Sequence, residues 1–203
     1  MPQKNIPVSF SHTEIQILEG YLKLCAKTGV ESVTLDDIAK SVHLAFATIH
    51  YHFGGKKRQL LPLFAATHIA RIAGRFTAEY LERAAREPNY VPMEAYVRAT
   101  FEWVRKYKVH ASFWLHHIYL ASIRSKIREI NSNAITAARK RLESLLFETA
   151  GRIAAPARPD TSELAAQIHS LIMGSVIIAL TDPSSEAVDR EEKLCLAAIA
   201  RWS

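Results

Sequence analysis

Glycine and proline are scarce in this chain, seven and eight of 203 residues, about half of ordinary usage. An all-β sandwich or barrel needs a turn signal every ~8–12 residues, so that class is excluded. Disorder is excluded by the 49% of residues that are hydrophobic, enough to bury a core at this length. Cysteine is nearly absent: Cys25 and Cys195 are too few for a disulfide framework and stand at no zinc-ligand spacing. Met1 to Phe10 is polar and broken by Pro2 and Pro7, unlike the apolar centre of a secretory leader. The longest apolar stretch, Leu171 to Leu180, falls short of the ~20 residues that span a bilayer. These absences lead us to expect a soluble, cytoplasmic protein with no membrane partner.

Catalytic sets are missing as well. No Gly-x-Ser-x-Gly and no Gly-x-x-x-x-Gly-Lys occurs, so neither a nucleophile elbow nor a phosphate loop is expected. Nine histidines invite a metal reading, yet no two stand four apart and none follows a glutamate by three. His116 and His117 are adjacent and point about 100° apart on a helix. Local spacing therefore predicts no metal, no cofactor and no enzyme, and leaves only a metal set assembled from distant helices.

What is present is helical period. Ser11 with Glu14 forms a capping box that starts a helix, striped by Ile15, Leu18, Leu22 and Cys25 and stopped by Gly29. Thr34 opens a second helix with Leu35, Ile38, Ala39 and Val42 on one side. A third is expected over about 45–52, closed by Gly54-Gly55. Longer helices are expected over about 56–86, 93–108, 110–123, 126–151, 161–181 and 185–202, with a kink at Pro62. The expected fold is all-α, with a three-helix head (1–55) on a six-helix body (56–203).

The second and third helices fit helix-turn-helix geometry. Close crossing needs a small residue inside the first helix, and Ala39 supplies it. Four residues on, the turn needs a residue that tolerates positive φ; His43 stands there, among the few side chains enriched in that region. Leu44 and Ile49 then attach the second helix to the first. That leaves Ala45, Phe46, Ala47, Thr48, His50 and Tyr51 facing outward, a surface that suits a major groove. Lys56 or Lys57, at a helix start, makes a phosphate site. A net charge of +6 favours a polyanionic partner. Its distribution places +2 in residues 1–60, +7 in 61–156 and −3 in 157–203.

The run Ile17-Leu18, Leu24-Cys25, Gly29, Thr34-Leu35-Asp36-Asp37-Ile38-Ala39, Thr48-Ile49, Tyr51-His52-Phe53 and Lys56/Lys57 resembles the TetR family of bacterial helix-turn-helix regulators over about residues 13–61. The resemblance implies a homodimer on a near-palindromic double-stranded operator, most often repressing, with a body that senses a small molecule. It also adds Thr34 and His52 to the candidate DNA-contacting residues. His43, Ala47 and His50 depart from the family's turn glycine, recognition-helix glycine and phosphate-bonding tyrosine. These departures keep open a helical ligand-binding or interaction protein whose head has lost sequence-specific DNA binding.

In the body, Trp103, Tyr107, His110, Phe113, Trp114, His117 and Tyr119 are dense in aromatic and polar-tipped side chains. With His169 they are candidates for a pocket holding a small apolar or aromatic effector; ordinary core packing is the alternative. Leu164, Ile168, Leu171, Gly174, Ser175 and Ile178, with Cys195, Ala198 and Trp202 from the last helix, are the candidate dimer face. Their spacing suits helix–helix contact, and the family resemblance implies pairing through these two helices.

Overall fold

The capping box read from the sequence at Ser11 forms as expected. In the computed structural model, which describes residues 9–152 and 160–201, Ser11 accepts from the Glu14 amide and Glu14 reaches back to Ser11, starting α1 (His12–Thr28). Thr34 and Asp37 do the same for α2 (Leu35–Val42). The chain then turns at His43 into α3 (Phe46–Phe53). His43 has φ 55° and ψ 40°, and it is the one non-glycine residue at positive φ among the described residues. A left-handed L-residue costs roughly 1–2 kcal/mol. The turn recovers part of this by donating the His43 and Leu44 amides to the carbonyls of Lys40 and Ala39.

Gly20 on α1 is the close-contact residue of the head. A Cβ there would stand 2.2 Å from Val42 Cγ1, so α1 and α2 pack closely only because the side chain is missing. Gln16 Nε2 donates to the Val42 carbonyl at 2.9 Å beside the same crossing. Ile17, Leu18, Leu22, Ile38, Ile49 and Phe53 form the head's core, each at most 1% exposed.

Six longer helices follow: α4 (Leu61–Ala84), α5 (Pro92–Lys106), α6 (Lys108–Ile123), α7 (Ser125–Arg152), α8 (Thr161–Thr181) and α9 (Ala187–Ala200). No strand occurs among the described residues. Two expectations at the head–body junction are corrected. The fourth helix begins at Leu61, because Gly55–Leu60 forms a 3-10 turn that carries Lys56, Lys57 and Arg58. Pro62 therefore falls in the first turn of α4, where its missing N–H costs no hydrogen bond and no kink is imposed.

The apolar core is continuous from Ile17 in the head to Ile199 in α9, and α1 rests on both α4 and α6. At that seam the Tyr21 ring meets Phe113 edge-on, centroids 5.8 Å apart. In the body, α8 lies against α7 and α9, and α9 also packs on α5. Arg105 of α5 clamps α9 by pairing with Asp189, at 2.6 Å, and with Glu192.

By length and composition α8 is able to cross a membrane. The stretch Leu171 to Leu180 understates this, because the polar residues within 161–170 do not make the helix polar. Its Ala165, Ile168, Ile172, Val176 and Ala179 are nonetheless buried in this fold.

That burial divides the residues of the expected dimer face. Ile168, Ser175 and Cys195 point into the chain's own core, and Leu164 and Leu171 pack against it. Of the named set, Ile178 is exposed and Gly174 has open space before it. Ala198 is partly exposed, and Trp202 lies outside the described residues. Helical periodicity finds the most apolar stripe, and on these helices that stripe belongs to the core.

Candidate nucleic-acid interface and effector region

On α3 the residues needed for attachment and those left for contact separate cleanly. Ile49 and Phe53 are buried, while Phe46 is 50% and Tyr51 79% exposed. Ala45 is the N-cap of α3 and, with Ala47 and His50, is exposed; Thr48 is half-buried. Lys56, Lys57 and Arg58 follow immediately, all exposed. The outward face of α3 and this basic turn thus form one continuous surface.

Two of the expected contact residues are otherwise engaged. The Thr34 hydroxyl is held by its cap, 2.6 Å from Asp37 Oδ2. His52 is turned toward α1, with Nδ1 3.6 Å from Glu14 Oε1, and its ring meets Tyr51 edge-on.

The aromatic set of the body divides in two. Trp103 and Tyr107 group with Phe76 of α4: the Tyr107 ring centroid lies 6.3 Å from that of Trp103 and 5.9 Å from that of Phe76. The Trp103 indole N–H is buried and has no hydrogen-bond partner among the described residues. A buried donor left in that state costs about 1–3 kcal/mol, which a bound acceptor would remove.

The others face elsewhere. His110 bonds to Glu19, Phe113 fills the head–body seam, and Tyr119 is 59% exposed, so it lines no enclosed pocket. Trp114 is partly buried against the core. A cleft of about 260 Å³ opens between the end of α4 and the start of α5, lined by Tyr80, Arg83, Glu87, Tyr90, Glu94 and Arg98. It shares none of the residues expected from the sequence.

Burial lowers the pKa of three body histidines: His116, His117 (with His116 adding repulsion) and His169 (with Arg139 adding repulsion). Each favours the fold in its neutral form. That stabilisation is present above the ordinary histidine value near 6.5 and is lost as pH falls through the lowered folded values. The melting temperature is expected to drop between about pH 7 and pH 5, and His117→Gln to shrink the drop. Melts at constant ionic strength check this, and an unchanged drop in the variant would remove His117 as a contributor.

Residues 17–62 match the family model described as "Bacterial regulatory proteins, tetR family". A segment of 42 residues is 43% identical to the biofilm operon negative transcriptional regulator IcaR of Staphylococcus aureus. That match spans 21% of this chain and 23% of the relative. Over nearly the whole chain the fold is similar to that of a transcriptional regulator from Saccharomonospora viridis in complex with choline. The TM-score is 0.74 at 25% identity, covering 94% of this chain and 97% of that one.

The head is similar to the TetR family over residues 17–62.

A TetR transcription regulator from Haloarcula marismortui shares the fold at 12% identity, with a TM-score of 0.71 and coverage of 93% and 96%. The segment matching the family model takes in most of α1, all of α2 and α3, the basic turn and the first residues of α4. The body is similar to its relatives in fold rather than in residues. Sequence reading missed Gly20, whose only signal was a glycine inside a helical stripe. It also missed Arg58, which extends the basic pair. The convergence of Glu19 with His68 and His110 had no local signal, because the three residues come from three helices.

Proposed function

We propose that this chain is a transcriptional regulator acting as a repressor. It binds a near-palindromic double-stranded operator as a homodimer and releases it when a small effector occupies the body. The carrying observation is the outward face of α3, with Phe46, Ala47, His50 and Tyr51 exposed and a basic turn at its end. In this reading residues 1–55 meet the major groove and Lys56 and Lys57 hold phosphates, while residues 56–203 pair and sense. Repression is supported by the staphylococcal relative, a negative transcriptional regulator.

Pairing is supported by α8, only 33% of whose most apolar window is buried. Ile177 and Ile178 on α8 and Leu194 on α9 are exposed, and a second copy would cover them. The effector reading rests on Trp103, with its unpartnered N–H, beside Tyr107 and Phe76. Lys106 Nζ already stands 5.5 and 5.6 Å from the Phe76 and Tyr107 ring centres. Aromatic faces of this kind accept cations. With choline present in the structural relative, a small quaternary ammonium is the first compound to test, before neutral aromatics. An effector that prefers one spacing of the two heads weakens DNA binding by the coupling energy, typically ~1–3 kcal/mol.

Selection of bound duplexes from a random library tests the reading. Enriched sites should contain two dyad-related half-sites about one helical turn apart, with affinity that falls on adding effector. Binding that is purely non-specific would instead favour a helical ligand-binding or interaction protein whose head no longer reads sequence.

A further inference from the structure

Three side chains that no local spacing connects meet where the head rests on the body. Glu19 comes from α1, His68 from α4 and His110 from α6. Glu19 Oε1 lies 2.8 Å from His68 Nε2 and 3.0 Å from His110 Nε2, and the ligating atoms all lie within 4.8 Å of one another. The two imidazoles are nearly enclosed, with side-chain exposures of 8% and 11%. We propose that Glu19, His68 and His110 form a binding site for a divalent transition metal of the zinc class, joining the first helix of the head to two helices of the body.

The donor set favours that class. Two imidazole nitrogens and a carboxylate oxygen suit Zn2+ and its first-row neighbours, whereas Mg2+ and Ca2+ prefer all-oxygen sets. Zinc donors stand about 2.0–2.2 Å from the ion, so tetrahedral donors are roughly 3.3–3.5 Å from each other. The two short separations, 2.8 and 3.0 Å, need to open and the wider one, within 4.8 Å, needs to close toward that range, shifts that side-chain torsions of Glu19 and the two histidines supply. A buried histidine that needs only an acceptor is satisfied by any carbonyl. Here two rings instead direct the same nitrogen at one oxygen.

Aromatic neighbours hold both rings in place. Phe10 meets the His68 ring edge-on at 6.2 Å, and Tyr107 meets His110 at 5.5 Å. Three protein donors leave a fourth position for water or an exogenous ligand. The site stands without the regulator reading. Its consequence, that an occupied site fixes the seat of the head and so shifts DNA affinity, rests on that reading.

The experiment uses the full chain, stripped with a chelator and titrated with Co2+ and then Zn2+. One ion per chain is expected, with the visible absorption of four- or five-coordinate cobalt, lost when zinc displaces it. Glu19→Gln and His110→Gln should each weaken binding by more than about 100-fold, beyond the 10–100-fold typical of losing an outer-sphere partner, with circular dichroism unchanged. Should a variant lose helix, X-ray absorption on the wild-type zinc form decides, with two imidazoles expected among light-atom ligands. No stoichiometric ion, equal affinity in well-folded variants, or a sulfur-containing or all-oxygen ligand shell would overturn the site. Anisotropy with pooled random duplexes, with and without zinc, separates the two readings. Absence of DNA binding in both states counts against the regulator alone, and DNA binding with no metal uptake counts against the site alone.

Discussion

Replacing Ile178 and Leu194 by glutamate is expected to leave a folded monomer with most of its DNA affinity gone. Both side chains are about half exposed in the single chain, at 48% and 55%, so their removal takes little from the core. Full burial of an Ile or Leu stabilises by about 1.5–3 kcal/mol, and two-fold symmetry presents each residue twice. The introduced carboxylates would instead meet near the axis as like charges. Once the two heads are no longer joined, the second half-site loses its effective concentration, and affinity for a paired site should fall about 10²–10⁴-fold. Sedimentation at micromolar concentration and a melting curve, set beside an anisotropy titration, check this. A variant that remains dimeric, or a wild type that is already monomeric, would move the interface elsewhere. Ile168→Glu is the informative contrast, because that side chain is fully buried and its replacement should unfold the body rather than split a dimer.

The second large effect concerns the basic turn. Lys56→Ala with Lys57→Ala is expected to weaken DNA binding across all sequences alike, since phosphate-bound lysines position the head without reading bases. Removing one lysine–phosphate pair lowers the slope of log affinity against log salt by about 0.9. The double variant should therefore flatten the slope by about 1.8 per head. The lysines are exposed and lie outside the core, so stability should be unchanged. Tyr51→Phe removes a single hydroxyl and should cost only about 0.5–1.5 kcal/mol. A slope unaffected by the double change would show that the head docks without this turn.

The head was legible for local reasons. A capping box spans four residues, and Ser11 with Glu14 and Thr34 with Asp37 both form one. The turn tolerates His43 at φ 55° because the left-handed region is open to that residue type. The inward pair Ile49 and Phe53 and the outward pair Phe46 and Tyr51 follow from a single helical period. The start of α4 was misplaced because Gly54-Gly55 signals the end of one helix but not the conformation of the residues that follow. Gly55–Leu60 forms a 3-10 turn.

The body shows where local pattern stops. Ile168 and Ile178 are both isoleucines on α8, nearly three turns apart, yet one is fully buried and the other 48% exposed. Hydrophobicity is the same for both; only the presence of a neighbouring helix distinguishes them. The aromatic helix α6 behaves likewise, sending Phe113 to the head–body seam and Tyr119 to solvent.

By itself the sequence determined the all-α class, the helix-turn-helix and its outward face, because capping, periodicity and backbone preference act within a few residues. Only the tertiary structure decided which apolar stripe is core and which is left for a partner. It alone brought His68 and His110 to Glu19, from 49 and 91 residues further along the chain. Contacts at that separation depend on how whole helices cross, and no short-range pattern records a crossing.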